Sequence, residues 1–307
     1  MRAIIVGYGN QGRKRYAVAK KDIVGIVDHA PTPYSPFVPF FHISDFPLAD
    51  YDAAIVCTPT QASKLNIVKW LLENGKHVLV EKPLWPATPA QIMELGDLAE
   101  RKKVVLYPAY NHRWEPAVRD VLDQNLGNVY KIYHCRMFYG NGTAELVKQS
   151  WRDQIPLGVI PEVGSHLFDL CEMFFGGYSS ARMIYCNNYE NDNPDHAIVA
   201  MRSGSTSIEL EMTYLSWKNT FTIDILTDKG SLHVEGLTKW GRSIYTSRIR
   251  QHPAGVPEEK ATVYVQPDST WEQEWRLFNN LVADGVQRSL RSSILMAQTL
   301  EELCKCK

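Results

Sequence analysis

The chain has 307 residues, of which 45% are hydrophobic and 22% charged, and its formal net charge is −1 at pH 7. These values are typical of a globular protein with one large or two ordinary domains, and they exclude disordered, collagen-like and low-complexity classes. The sequence has no excess of basic residues of the kind that binds nucleic acid. No apolar run approaches the roughly 20 residues that a membrane-spanning helix needs.

The six cysteines are scattered through apolar segments, which is typical of reduced thiols in a cytosolic protein. The apolar stretch at residues 3–6 is too short for a signal peptide, so we expect a cytoplasmic location. Cys304 and Cys306 form the one close pair, and no further Cys or His cluster in the sequence has zinc spacing. We therefore predict no metal site.

Short β-branched runs alternate with helical patterns through the first hundred residues. Strands are predicted at residues 3–6, 23–27, 53–57, 77–80 and 104–107, and helices at 11–20, 62–74 and 89–101. The strands are continuously apolar, which indicates burial on both faces and a parallel sheet covered by helices. The alternation predicts an α/β fold, with a doubly wound Rossmann domain over residues 1–115.

The link between the second and third strands is unusual because it contains five prolines, at positions 31, 33, 36, 39 and 47. Proline inside a helix removes a hydrogen bond and clashes with the preceding turn. We expect an extended connection in place of most of the crossover helix.

Alternating strands with glycine-containing turns dominate after about residue 125. Strands are predicted at residues 129–139, 182–187, 197–201, 207–214, 220–226, 231–235 and 261–265, and helices near 161–175, 270–284 and 291–304. This pattern predicts a second α/β domain over residues 116–307, with a mainly antiparallel open sheet. The C-terminal helix is a candidate to pack back on the first domain.

A glycine-rich loop follows the first strand and opens the first helix. Gly7, Gly9 and Gly12 have G-x-G-x-x-G spacing, with Asn10 and Gln11 between the last two. In this fingerprint the glycines permit a tight turn, close approach of a pyrophosphate, and contact between helix and strand. The helix N-terminus offers amides to the phosphates, so we predict dinucleotide binding by all five residues.

Asp28 ends the second strand, 21 residues after Gly7. A carboxylate there accepts hydrogen bonds from the adenosine ribose and repels a 2′-phosphate. Because no Arg or Lys occurs between Asp28 and Ser63, we favour NAD over NADP, although Arg13 and Lys14 offer phosphate contacts. The alternative is a glycine turn in another α/β protein, with Asp28 capping a loop.

Lys82 follows the fourth strand in the sequence Glu81-Lys82-Pro83. Ligands bind at the carboxyl ends of parallel strands, so Lys82 is expected to face the nicotinamide end of the cofactor. A surface ion pair with Glu81 is the alternative interpretation.

Three further titratable residues begin a predicted helix, with Pro161 at its first position. Glu162, His166 and Asp169 are spaced to share one helix face, where an imidazole flanked by carboxylates exchanges protons near neutral pH. The alternative is that Glu162 stabilises the helix dipole and His166 is a hydrogen-bonded core residue.

Taken together, these motifs make the chain resemble the Gfo/Idh/MocA oxidoreductases, the family of glucose–fructose oxidoreductase and inositol dehydrogenase. The matching elements occur in family order over nearly the whole chain, at residues 7–12, 58–59, 75–83, 110–117 and 162–169. The resemblance implies a Rossmann domain and a second domain whose open sheet often forms oligomer contacts. We therefore expect a homodimer or homotetramer.

The resemblance also implies hydride transfer between NAD and a carbinol or keto carbon of a sugar, sugar nucleotide or cyclic polyol. It assigns catalysis to Lys82, Glu162 and His166. Cofactor contacts are expected from residues after the third and fourth strands: Thr58, Pro59, Glu81 and Lys82. Weaker candidates for substrate contacts are Asn111, Arg113, Trp151, Arg152 and Asp169.

Three departures from the family pattern stand out. Glu162 replaces the usual aspartate, Ser63 stands where a histidine commonly follows Thr-Pro, and the proline-rich link replaces a crossover. Two other functions stay open: a dinucleotide-dependent regulatory protein without turnover, and a reductase of non-sugar substrates such as diols or tetrapyrroles. The presence of both Lys82 and His166 argues against the first, because a sensor needs no proton relay.

Overall fold

The computed structural model describes residues 1–30, 35–59, 62–124 and 126–305. The chain divides into two compact units, which we call the first unit (Met1–Asn111 with Trp271–Ala297) and the second unit (His112–Thr270 with Gln298–Lys307). The domain boundary after residue 115 stays a prediction.

The described part of the first unit contains a five-stranded parallel sheet in the order β2-β1-β3-β4-β5. Its strands are β1 (Ala3–Val6), β2 (Ile23–Val27), β3 (Ala53–Val56), β4 (His77–Glu81) and β5 (Leu106–Ala109). The predicted Rossmann sheet is confirmed. The last strand begins at Leu106 rather than at Val104, because Lys103 is left-handed (φ 57°) and the Val104 amide still bonds to the Ala99 carbonyl of the preceding helix.

Helices flank both sheets. In chain order they are α1 (Asn10–Ala19), α2 (Ala62–Glu73), α3 (Pro89–Lys102), α4 (Pro116–Asp123), α5 (Leu126–Val129), α6 (Ala144–Lys148), α7 (Val159–Glu162), α8 (Gly164–Phe175), α9 (Thr270–Asp284) and α10 (Arg291–Lys305). Within the described ranges, none of them is both long and apolar enough to cross a membrane.

Helix α9 contributes to the core of the first unit. Trp275 and Phe278 are buried in one apolar cluster with Ile5 and Tyr107 of the parallel sheet. The Trp275 indole also donates to Asp22 at 3.0 Å. Residues late in the chain therefore complete the core that the first hundred residues begin.

The link after β2 is extended where the structure describes it. The Phe40 amide donates to the Ile26 carbonyl at 2.9 Å, and the Asp28 amide donates to the Phe40 carbonyl at 3.0 Å. Only two short 3₁₀ turns, Ile43–Asp45 and Leu48–Asp50, interrupt the described residues 35–52. This confirms the expected loss of the crossover helix for these residues, whereas Pro31 and Pro33 lie outside the described ranges.

The second unit is built on an eight-stranded sheet, as far as it is described, in the order β13-β12-β11-β10-β6-β9-β8-β7. Its strands are β6 (Ile132–Gly140), β7 (Ser179–Asn187), β8 (His196–Ser203), β9 (Thr206–Thr213), β10 (Thr220–Thr227), β11 (Gly230–Glu235), β12 (Ser243–Ile249) and β13 (Glu258–Tyr264). The pair β6 and β9 is parallel and the other pairs are antiparallel, which confirms the predicted mainly antiparallel sheet.

Two details of this sheet correct the sequence analysis. The predicted strand from residue 129 begins only at Ile132, because Val129 ends the short helix α5. Strand β12 was missed because its second half is polar on both faces, with Thr246, Ser247 and Arg248 in succession.

The predicted helix at 161–175 is also corrected. Helix α7 begins at Val159 and ends at Glu162, and α8 begins at Gly164, so Glu162 does not share a continuous helix with His166. Pro161 is the third helical residue rather than the first. This position is allowed because the leading amides of a helix have no partner within it.

Candidate functional site

The three glycines of the loop after β1 have different surroundings. Gly7 has φ +90°, and a β-carbon on Gly12 would lie 2.1 Å from the Gly7 carbonyl oxygen. A β-carbon on Gly9 would meet no heavy atom of the described residues within 4 Å. A side chain at Gly7 or Gly12 would therefore collide with neighbouring backbone, whereas the space next to Gly9 is free for a ligand.

Asn10 and Gln11 form the first turn of α1, whose leading amides point out of the helix. The Asn10 side-chain oxygen accepts from the Arg13 guanidinium at 2.6 Å, which draws Arg13 to the helix start. Lys14 lies over the ring of Trp271, with Nζ 5.4 Å from its centroid. Both cations near the loop therefore have contacts inside the first unit.

The Asp28 carboxylate lies directly against the glycine loop. One oxygen accepts from the Tyr8 amide at 2.6 Å, and the other accepts from the Ala30 amide at 2.8 Å. An open face at Gly9, a helix N-terminus and a carboxylate at the end of β2 are the features that a dinucleotide needs. The residues present therefore fit a nicotinamide dinucleotide.

Buried charges lie on the N-terminal side of Lys82. The Arg15 guanidinium is 2.6 Å from the Glu81 carboxylate and 2.7 Å from that of Glu274, and Glu274 is fully buried. Burial disfavours the charge of Arg15, but the two carboxylates outweigh this effect and raise its pKa. Glu81, predicted to bind cofactor, thus directs its carboxylate at Arg15.

Lys64 holds the backbone on both sides of Lys82. Its Nζ donates to the Glu81 carbonyl at 3.1 Å and to the Pro83 carbonyl at 3.4 Å, and the residue is 1% exposed. Burial lowers the pKa of Lys64 to about 8. The peptide between Lys82 and Pro83 is cis.

The remaining first-unit candidates are also placed near strand ends. Thr58 and Pro59 follow β3 and are half-buried, while Asn111 follows β5 and is buried. Their contacts to a cofactor or substrate stay predictions.

Glu162 is held by two partners of the second unit. The Arg152 guanidinium is 2.5 Å from one carboxylate oxygen, and the Tyr214 hydroxyl donates to the other at 2.9 Å. Burial raises the pKa of Tyr214 well above its ordinary value, and the charge of Glu162 adds to the shift. Tyr214 therefore stays a neutral donor that fixes the carboxylate.

His166 stacks on a second imidazole. Its ring centroid is 3.7 Å from that of His112, and the rings are inclined by 17°. Lys239 contacts the Nε2 atom of His112 at 3.2 Å and the Tyr139 hydroxyl at 3.0 Å. The imidazole predicted from sequence is thus part of an ordered aromatic and cationic cluster.

Two weaker candidates form a buried ion pair inside the second unit. Arg113 contacts both carboxylate oxygens of Asp169, with Nε 2.6 Å from Oδ2. Trp151 differs, because it remains 41% exposed beside Arg152. The structure therefore joins Arg113 to Asp169 and Arg152 to Glu162, whereas the convergence of Lys82 and His166 on one ring stays a prediction.

Several residues of these clusters were missed from the sequence, among them Lys64, His112, Tyr214 and Lys239. His112 lies in the matched element 110–117, which was a usable signal. Lys64 carries no signal, because a lysine in a helix normally faces solvent.

Models of one family match almost the whole chain. The model described as "Oxidoreductase family, NAD-binding Rossmann fold" matches residues 1–110, and that described as "Oxidoreductase family, C-terminal alpha/beta domain" matches residues 119–301. The chain belongs to this oxidoreductase family, Gfo/Idh/MocA, which confirms the resemblance.

Similar proteins share part of the sequence or the fold. An uncharacterized oxidoreductase of Schizosaccharomyces pombe is 34% identical over 119 residues, a match that covers 36% of this chain and only 31% of the relative. Levoglucosan dehydrogenase in complex with NADH has a TM-score of 0.84 at 17% identity, covering 100% of this chain and 96% of that one. UDP-N-acetylglucosamine 3-dehydrogenase from Acidithiobacillus ferrooxidans has a TM-score of 0.80 at 17% identity, with 100% and 97% covered.

Proposed function

We propose that this oxidoreductase is an NAD-dependent dehydrogenase acting on a carbinol or keto carbon of a sugar, sugar nucleotide or cyclic polyol. The observation that carries the cofactor assignment is the Asp28 carboxylate, hydrogen-bonded to the Tyr8 amide of the glycine loop. A carboxylate there accepts from ribose hydroxyls and repels a 2′-phosphate. The substrate class is supported by the names of the two dehydrogenases of the same fold.

When bound, the nicotinamide accepts or donates the hydride. His166 takes the carbinol proton during oxidation and returns it during reduction. Lys82 hydrogen-bonds the same oxygen and stabilises its developing negative charge. Glu162 orients and tunes Lys82 and His166, and its own direction is set by Arg152 and Tyr214.

The test of this assignment uses His166→Asn and Lys82→Met with a panel of sugars and sugar nucleotides, followed at the absorbance band of reduced nicotinamide. Each variant should lose about 10²–10⁴-fold in kcat, because acid–base help is worth that much, and His166→Asn should keep its Kd for NADH. Matched controls are His134→Asn, whose ring contacts Ser207, and Lys69→Met, which pairs with Glu94 on the surface. Near-normal turnover in both site variants would refute the assignment.

Cofactor choice is tested separately by measuring the dissociation constants of NADH and NADPH. The wild type should bind NADH more tightly, and Asp28→Ser should narrow the difference, because it removes the charge that repels the 2′-phosphate. A wild type that prefers NADPH would refute NAD as the cofactor.

We further propose a cytoplasmic homodimer or homotetramer, with substrate contacts from Asn111, Arg113, Trp151, Arg152 and Asp169. The family resemblance supports the assembly. Sedimentation of the full chain tests it, since a monomer at micromolar concentration would contradict this part of the proposal.

A further inference from the structure

The loop between β7 and β8, residues 188–195, is closed around a buried carboxylate. Asp195 is fully buried, at 0% exposure. Its carboxylate accepts hydrogen bonds from three backbone amides of the loop: Tyr189 at 3.0 Å, Glu190 at 2.6 Å and Asn191 at 3.1 Å. Hydrogen bonds to an ionised acceptor are roughly twice as strong as neutral ones. The shape of the β7–β8 loop therefore depends on one side chain.

The same loop contacts the segment that carries Arg152. The carboxylate of Asp153, in the 3₁₀ turn Trp151–Gln154, accepts from the amides of Asp192 at 3.1 Å and Asn193 at 3.2 Å. The Asn193 side chain donates in return to the Asp153 carbonyl. Asp153 is 3% exposed, so these bonds are shielded from water. Because Arg152 precedes Asp153, the loop fixes the backbone from which the guanidinium extends.

Two carbonyls of the loop bind the segments that carry Glu162 and Tyr214. The Pro194 carbonyl accepts from the Val159 amide at 2.8 Å, at the start of α7, and Glu162 ends this helix. The Asp195 carbonyl accepts from the Tyr214 amide, also at 2.8 Å. Two segments that are distant in the sequence are therefore joined through one loop.

The side chains of these three segments meet at one carboxylate. Arg152 and Tyr214 contact the two oxygens of Glu162, at 2.5 and 2.9 Å. Such contacts weaken steeply outside a narrow range of distance and angle. Because the three residues belong to separate elements, their contacts require that the elements keep their places relative to one another, and the β7–β8 loop bonds to all three.

We propose that Asp195 and Asp153 are positioning residues for the Glu162 carboxylate. Asp195 fixes the shape of the β7–β8 loop, and the loop sets the relative places of Arg152, Glu162 and Tyr214. Asp153 connects the loop to the Arg152 segment. Each of the two aspartates acts through backbone amides. The consequence for catalysis rests on the proposed dehydrogenase function, in which Glu162 orients the catalytic groups.

Hydrogen exchange of backbone amides, followed by NMR on the full chain without substrate, tests the placement directly. Asp195→Asn replaces an acceptor oxygen by a donor, so at least one loop amide loses its partner. The amides of Val159 and Tyr214 should then exchange about 10–100-fold faster, because a hydrogen bond to a charged group is worth that much. The amide of Ile223, inside the central strand β10, should keep its rate.

The matched control is Asp192→Asn, which neutralises an exposed side chain of the same loop and should leave all three exchange rates unchanged. Unchanged exchange at Val159 and Tyr214 in Asp195→Asn would overturn the proposal. Equal acceleration at Ile223 would overturn it as well, because the whole unit would then be destabilised rather than the segments next to the loop.

A double-mutant cycle on kcat separates positioning from a general structural role. With the substrate found in the panel assay, Asp195→Asn should lower kcat about tenfold in the wild type and little further in Glu162→Gln, because its effect passes through Glu162. Equal factors in the two backgrounds would overturn the positioning role. If Glu162→Gln itself keeps full turnover, the catalytic assignment of Glu162 fails, and amide exchange still decides whether the loop places the three side chains.

Asp153→Ala tests the Arg152 segment separately, and it also serves if Asp195→Asn does not fold. The substitution removes the acceptor of two loop amides and leaves Asp195 in place. We expect kcat to fall about tenfold in the wild type and little further in Glu162→Gln. An unchanged kcat, or the same loss in both backgrounds, would overturn the role of Asp153.

Discussion

The two units hold their candidate catalytic side chains in different ways. Near Lys82, the first unit buries charged side chains. Each is at most 8% exposed: Arg15, Lys64, Glu81 and Glu274. Near His166, the second unit uses a stacked ring and a lysine that reaches in from the surface. Lys82 is thus fixed through the backbone on either side of it, whereas His166 is fixed through its own ring.

This difference has an energetic consequence. A buried ion pair loses several kcal/mol when one partner is removed, because the other charge is left without compensation. An aromatic contact contributes about 0.5–1.5 kcal/mol beyond its buried area. We therefore expect the charge cluster of the first unit to control stability, and the ring cluster of the second unit to control chemistry.

The largest expected effect comes from Glu274→Gln. Removing this carboxylate leaves the buried Arg15 with Glu81 as its remaining carboxylate partner, so the free energy of unfolding should fall by about 3–5 kcal/mol. Urea denaturation measures it. Glu94→Gln, which breaks the exposed pair with Lys69, is the control and should change stability by less than about 1 kcal/mol. Equal effects of the two variants would contradict the distinction between the units.

Lys64→Met should alter how stability depends on pH. Burial lowers the pKa of Lys64 from 10.5 to about 8, so between these values the unfolded chain binds the proton and the folded chain does not. The free energy of unfolding of the wild type therefore increases between about pH 8 and pH 10.5, by up to about 3 kcal/mol. The variant should show no such increase. Below pH 8 the full cost of the buried charge is present in the wild type. Parallel stability curves from pH 7.5 to 10.5 would contradict this expectation.

A pair of glycine substitutions compares the closed and open sides of the loop. Gly12→Ala should destabilise the fold by about 1–3 kcal/mol, because its β-carbon would lie 2.1 Å from the Gly7 carbonyl oxygen. Gly9→Ala should leave the melting temperature unchanged but weaken NADH binding, since its β-carbon enters the open space. Thermal unfolding and fluorescence titration separate the two. If Gly9→Ala bound NADH as tightly as the wild type, the pyrophosphate would not lie against Gly9.

The smallest expected effect is that of Tyr214→Phe. The substitution removes the hydroxyl that donates to Glu162 at 2.9 Å, while the ion pair with Arg152 remains. A hydrogen bond to a charged group is worth about 1.5–3 kcal/mol, so kcat should fall about tenfold with stability changed much less than by Glu274→Gln. An unchanged kcat would show that Glu162 needs no second partner.

The fold could be predicted largely from the sequence because its signals are local. Continuous apolar runs mark the buried parallel strands, and the spacing of Gly7, Gly9 and Gly12 marks the turn that opens α1. The start of α7 at Val159 could not be foreseen, because the Val159 amide donates to the Pro194 carbonyl, 35 residues away.

The candidate site was predictable only in part, because some of its contacts join residues that are distant in the sequence. Lys82 and His166 stand in motifs that can be recognised along the chain. Their supports come from distant positions: Lys64 is 17 residues from Glu81, and Lys239 is 127 residues from His112. Such pairs leave no trace in periodicity or spacing, so they emerge only from three-dimensional contacts.

The place of Glu274 in the chain constrains how this protein can form during translation. The partner that balances Arg15 is synthesised some 260 residues after it, together with Trp275 and Phe278, which fill the same core. In a nascent chain that ends after the parallel strands, Arg15 would have Glu81 but not Glu274 as a partner. The apolar side chains that Trp275 and Phe278 cover would be exposed to water. Truncations that end before residue 270 should therefore be insoluble or bound by chaperones, even though every strand and the glycine loop of the Rossmann sheet are present.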